Sequence, residues 1–295
     1  MSIRWLWSLV LVSASVAVAL GRPAVAGRYS APSLSTRWML VWSDEFNGPA
    51  GRSPDPAKWS FDTGNGAANF GNQEWEYYTS RRSNAALDGH GRLAITARHE
   101  TLPGMAHCAY GTCNITSGRI TTARSFNWTY GRFEARMRVP YGQGTWPAFW
   151  MLGDTAGQPG WPASGEIDIM EEVGSDPRTV YGTIHGPGFV DNGIERQVSL
   201  PGQEVLADRF HTYGVEWSPR AITWTLDGKP YGTAHRSALT SKQRWVFDHG
   251  FYLLLNLAIG GAMPGPPDAH TPFPSTLLVD SVRVYKAVGG TNAAR

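Results

Sequence analysis

Charged side chains are scarce in this 295-residue chain, at 17% against roughly 25% in an average soluble domain. No Lys/Arg run is longer than Arg81-Arg82, so the basic stripe that nucleic-acid binding requires is missing. Helical i, i+3, i+4 apolar stripes of useful length are missing too. With 34 Gly and 20 Pro to interrupt helices, a helical bundle is excluded. No G-x-G-x-x-G follows a strand pattern and no H-E-x-x-H occurs, which removes dinucleotide-binding and zincin-type chemistry. Two cysteines are too few for a four-ligand zinc site. What is plentiful is apolar and aromatic: 42% hydrophobic residues with 13 Trp, far from the composition of a disordered chain. The remaining class is a turn-rich, Trp-rich β protein.

One long apolar run exists, Trp5 to Leu20. Arg4 precedes it, and Ala24-Val25-Ala26 supplies a small-x-small cleavage site. The run is shorter than the roughly 20 residues of a bilayer span, so residues 1–26 read as an export signal removed near Ala26. The mature protein is then extracellular, with no membrane association. Losing Arg4 and Arg22 leaves 24 basic residues against 24 acidic ones, a neutral chain with no electrostatic claim on nucleic acid. Export would place Cys108 and Cys113 where a disulfide is possible, with two free thiols the alternative. So short a loop would add local rigidity and little global stability.

Residues 27–37 (GRYSAPSLSTR) read as a linker and 289–295 (GGTNAAR) as a tail. Between them lies no repeat and no second linker, and all-β domains reach 200–250 residues as one unit, so 38–288 is one domain. Strand patterns recur at 92–98, 132–139 and 276–285. The second alternates polar and apolar, as a sheet with one wet face does. Residues 221–226 and 229–231 flank Asp227-Gly228, the preferred pair for a type I′ hairpin turn. The run 251–259 (FYLLLNLAI) predicts a strand buried on both faces. Together these patterns predict an all-β, two-sheet antiparallel sandwich.

The chemistry sits in 164–173, SGEIDIMEEV. On a strand, Glu166 and Asp168 share a face while Ile167 and Ile169 take the other. Glu171 lies five positions from Glu166, an odd offset that sends it to the apolar side. A β-bulge at Ile169–Met170, with Met170 as the extra residue, returns it to the acidic face. Three carboxyls in a row repel one another, and the alternative reading is a solvated edge strand whose acids pair with arginines. Glycoside hydrolysis with retention needs two carboxyls about 5–5.5 Å apart, and a third between them would separate their pKa values. Trp146, Trp150 and Trp161 lie close upstream. Aromatic platforms suit the apolar faces of sugar rings, although any single Trp can equally be core. Trp161, in a Pro/Gly-flanked loop, is the best cleft candidate.

The segments DEFNG (44–48), GNQEWEYYT (71–79), SGRITT (117–122), WPAFWML (146–152), SGEIDIMEEVG (164–174), YGTIHGPG (181–188), FHTYGVEW (210–217) and NLAIGG (256–261) resemble glycoside hydrolase family 16. Within it they are most similar to secreted bacterial endo-1,3-β-glucanases, the laminarinases, across essentially all of 38–288. The resemblance implies a β-jelly-roll sandwich with a concave substrate cleft, and a monomer acting on β-glucan polysaccharide with no cofactor in catalysis. It makes Glu166 the nucleophile, Glu171 the acid/base and Asp168 their electrostatic partner. It places Asn72, Arg119, Trp146, Trp161 and His185 along the cleft, an ordinary structural histidine being the alternative for His185. Glu172 should face away. A structural calcium held by Glu45, the Gly91 carbonyl and Asp280 is also implied, oxygen donors suited to a hard ion. This chain has Trp75-Glu76 where the family usually has Leu-Gln. Within the fold, β-1,3-1,4-glucanases and agarases are the rival activities. The bulge disfavours the former, whose motif resembles E-x-D-x-E. Non-catalytic glucan-binding modules on this fold lack the acids that Glu166, Asp168 and Glu171 supply here.

Overall fold

The computed structural model describes residues 36–288 apart from 67–68, 106, 109, 156–158 and 192. The expected export signal, the linker up to residue 35 and the 289–295 tail lie outside the described residues. Strand begins at Arg37, so the predicted linker ends slightly earlier than expected.

The alternation of RFEARMR (132–138) becomes a strand, Gly131–Arg138, with Phe133, Ala135 and Met137 fully buried and the charged residues between them on the other face. The Asp-Gly hairpin forms as predicted. Asp227 and Gly228 have φ of 51° and 73°, the two positive values a type I′ turn needs, and they join Ala221–Leu226 to Lys229–His235.

Two large sheets result. The larger has ten strands and ends in Lys229–His235 on one side and in the two-residue Tyr77–Tyr78 on the other. The smaller runs Arg196–Ser199, Thr179–His185, Glu166–Glu171, Thr145–Gly153, Phe251–Ile259, Arg119–Thr121 and Ser60–Phe61. Its neighbours are all antiparallel. The acidic strand therefore lies in the interior of this sheet, which overturns the solvated edge-strand alternative.

One apolar cluster joins the sheets, drawing Phe133, Met137, Val215 and Val282 from the larger and Phe149, Met151, Ile167, Leu253 and Leu255 from the smaller. Phe251–Ile259 is buried on both faces as its composition predicts, Tyr252 alone being half-buried. Nearly all-β and two-layered, the architecture is the jelly-roll sandwich expected. No helix among the described residues is long and apolar enough to cross a membrane.

Glu172 is a polar residue on the wrong side of this design. It is fully buried, and neither carboxyl oxygen has a hydrogen-bond partner. Burial, reinforced by the charge of Asp176, raises its pKa well above the usual carboxylate range. Between the unfolded and folded pKa values the unfolded chain ionises and the folded chain resists, so stability drains as pH rises. Glu172→Met should therefore raise the melting temperature at pH 8, because an apolar replacement removes the buried acid. The gain should shrink toward pH 4.5. Thermal melts of both proteins across that range check it.

Candidate active site

Register defines the site. Against Thr145–Gly153, Glu166 pairs with Leu152, Asp168 with Trp150, Met170 with Phe149 and Glu171 with Ala148. Ile169 is skipped, so the bulge is present and its extra residue is Ile169 rather than the predicted Met170. Ile169 and Met170 both enter the core, and Glu171 emerges on the side of Glu166 and Asp168. The partners Leu152, Trp150 and Ala148 are spaced evenly, so the three acids stand at successive same-face positions about 7 Å apart along the strand. Glu172 points the other way, as expected.

Each acid has a dedicated neighbour. The Trp161 indole donates to Glu166 Oε2 at 2.6 Å, and the Trp146 indole donates to Glu171 Oε1 at 2.9 Å. His185 Nε2 lies 3.3 Å from Asp168 Oδ2, with its Nδ1 2.6 Å from the Val190 carbonyl oxygen. Trp161 is 51% exposed, an open platform and not core, whereas Trp146 is buried and presents its N–H edge. His185 is brought into the row of acids as the partner of Asp168.

Electrostatics divides the two glutamates. Burial and the charge of Asp168 raise Glu166, opposed by His185, the Trp161 N–H and Arg119. Glu171 is raised by burial and by both Asp168 and Glu166, opposed by the Trp146 N–H and His185. Glu171 thus faces two repelling carboxylates and Glu166 has the more cationic surroundings, so the proton resides on Glu171 first. Burial alone would lower His185, but contact with Asp168 and the charge of Glu166 lift it to about 10. It is an imidazolium at neutral pH, offsetting the repulsion in the row.

Other expected residues fall around this row. Arg119 pairs through Nε with Asp62 at 3.0 Å, and its guanidinium lies between the Phe70 and Trp150 rings at 4.4 and 4.8 Å. Its side chain is buried. The exposed Asn72 reaches Glu74 at 3.4 Å, and its carbonyl and the Trp146 ring both crowd Gly261. Sequence reasoning passed over a buried relay. Trp150 donates to Asn256, which donates to Tyr78, which donates to Glu74. Beside it, Glu76 is fully buried, and burial and the charge of Glu74 raise its pKa. The signal was present in Glu74-x-Glu76-x-Tyr78, a period-2 pattern with the polar residues inward.

The two side chains among the predicted calcium donors are engaged elsewhere. Both Glu45 oxygens accept from Arg283, at 2.9 and 2.7 Å, and Asp280 pairs with Arg136 at 3.1 Å. The described residues hold no group of three His, Cys, Asp or Glu side chains fit for a metal ion. As they stand, these residues do not fit a calcium cradle. Cys108 and Cys113 are joined in a disulfide, and within their loop Tyr110 stacks on Trp75 at 4.0 Å.

Two glutamates flanking a third carboxyl, on a face open beside Trp161, equip the sandwich for acid-assisted displacement at a sugar carbon. The protein is a glycosidase by its architecture. It belongs to the glycosyl hydrolases family 16, whose model matches residues 72–258. It is 44% identical over 262 residues to a β-glucanase of Rhodothermus marinus, covering 85% of this chain and 86% of that protein. A glucan endo-1,3-β-glucosidase A1 of Niallia circulans is 35% identical over 90% of this chain, which spans 39% of that longer protein. Among solved structures, the endo-β-1,3-glucanase of Pyrococcus furiosus superimposes with a TM-score of 0.79 at 43% identity, covering 86% of this chain and 97% of the other.

The Trp161 contact generates a test. Trp161→Phe keeps a ring but removes the N–H that lowers the Glu166 pKa. In the nucleophile role that the family resemblance implies, Glu166 would attack as a carboxylate, so the acidic limb of the kcat/KM profile should move to higher pH. The alkaline limb, which Glu171 would set in its implied acid/base role, should stay in place. A pH–rate profile of both proteins decides it.

Proposed function

We propose that this protein is an exported, monomeric endo-hydrolase of β-1,3-glucans that acts with retention of anomeric configuration. The observation that carries the reading is the bulge, which aligns Glu166, Asp168 and Glu171 on one face with the proton on Glu171. The names of the relatives support the β-1,3 linkage, and the disulfide and the 1–26 segment support export.

In the first step the Glu166 carboxylate attacks the anomeric carbon of a β-glucosyl unit. As the C–O bond to the departing sugar breaks, Glu171 gives its proton to the leaving oxygen. The product is a glycosyl ester on Glu166 and an ionised Glu171. Asp168 and its His185 partner hold the row's charge balance. In the second step Glu171 takes a proton from water, the oxygen of which attacks the same carbon and frees Glu166. Two inversions give retention. Trp161 both carries the N–H that favours the ionised form of Glu166 and offers its exposed face to a sugar ring.

Two measurements test the reading. Laminarin and curdlan should yield oligosaccharides of mixed length; exclusive release from lichenan or agarose would overturn the linkage assignment. Removing each glutamate should separate their roles. Glu166→Ala with azide and an activated β-substrate should give an α-glycosyl azide, attack coming from the vacated face. Glu171→Ala should form the ester from an aryl glycoside with a good leaving group, and azide should release it as the β-azide. Proton NMR of the products distinguishes the anomers, and the opposite assignment would swap the two roles.

A further inference from the structure

A backbone carbonyl at the edge of the bulge accepts a hydrogen bond from the larger sheet. Trp224, on Ala221–Leu226, is fully buried, and its indole Nε1–H donates to the Asp168 carbonyl oxygen at 2.8 Å. Trp224 itself lies where the register of its own sheet shifts, between Trp224 and Thr225, and such irregularities re-aim side chains. The path to the bulge crosses Gly182. On the other flank of the acidic strand, Asp168 pairs with Thr183 and Glu171 with Tyr181, so Gly182 faces the two residues of the bulge. A Cβ on Gly182 would overlap Cδ1 and Nε1 of the Trp224 ring. The missing side chain is the space the indole occupies.

We propose that Trp224 is a positioning residue for the acid/base, its indole N–H locking the bulge from across the core so that Glu171 takes its station relative to Glu166. A buried carbonyl left without a donor costs about 1–3 kcal/mol, and a bulge is a local choice among registers. The N–H that satisfies this carbonyl favours the register in which Ile169 is skipped. Glu166 lies before the bulge, anchored opposite Leu152 and His185, and Glu171 lies after it. Losing the lock therefore displaces Glu171 and spares Glu166. Asp168 is held twice, by His185 at its carboxylate and by Trp224 at its main chain.

This inference rests on the proposed roles of Glu166 and Glu171, which the azide products establish separately. The decisive variant is Trp224→3-benzothienylalanine, which replaces the N–H by sulfur in a ring of nearly the same shape. Gly182→Ala, which crowds the indole from the other side, is the second. A displaced acid/base harms substrates whose leaving group needs a proton and spares those whose leaving group does not. Turnover of laminarin should fall about tenfold or more in both variants. Formation of the glycosyl ester from a dinitrophenyl β-glucoside oligomer should stay close to the parent rate, and KM for laminarin should change little. Ile95→Val, a core change on Leu93–His99, four strands from that of Trp224 in the larger sheet, should lower the melting temperature without altering the ratio of the two activities. An unchanged ratio in the benzothienyl variant, whether both rates hold or both fall together, would overturn the proposal.

Discussion

A single skipped residue governs this protein. A strand offers side chains to its two faces in strict alternation, and five positions is an odd step. Only by leaving Ile169 out of the ladder can Glu166, Asp168 and Glu171 share a face while Ile167, Ile169 and Met170 stay in the core. The irregularity satisfies both demands at once: apolar bulk for the sandwich and a row of acids for the chemistry. Neither a perfect strand nor a loop would do so, the first misplacing Glu171 and the second giving up the rigidity that two flanking strands confer.

Gathering three carboxyls has an electrostatic cost, and the surroundings show how it is met. Positive charge is concentrated at the Glu166 end and the centre, through Arg119 and the His185 imidazolium. The Glu171 end receives an indole N–H and otherwise two like charges. Repulsion is directed so that one group keeps its proton. The asymmetry of neighbours, and not the identity of two chemically equal glutamates, sets which of the two holds its proton the more tightly.

Much of this was legible in the residues, for reasons tied to local physics. Hairpin and strand patterns depend on near neighbours, so Asp227-Gly228 and the alternation of 132–138 translated directly. The bulge could be anticipated because acids and apolar residues conflict in a five-residue step, yet which residue would be skipped depended on pairing with Trp150 and Phe149, which no local pattern carries. Glu45 and Asp280 were expected at a cation on the strength of family resemblance. Their arginine partners Arg283 and Arg136 are remote in sequence from at least one of them and became visible only on folding. The same holds for Trp224, which reads locally as one more core aromatic and acts on a strand more than fifty residues away.

The margins of the two sheets carry a consequence for a protein that works among long polymers and other chains. The smaller sheet closes with the two-residue Ser60–Phe61 and the four-residue Arg196–Ser199. The path of the larger ends in Tyr77–Tyr78 and in a strand that opens on exposed Lys229 and Pro230, and off that path Arg37–Asp44 pairs with Ser275–Val288 alone. Open strand borders invite another molecule to continue the ladder, and short length, lysine and proline are the devices that discourage it. Those short or lysine- and proline-bearing ends therefore offer little footing for strand-by-strand addition of another chain.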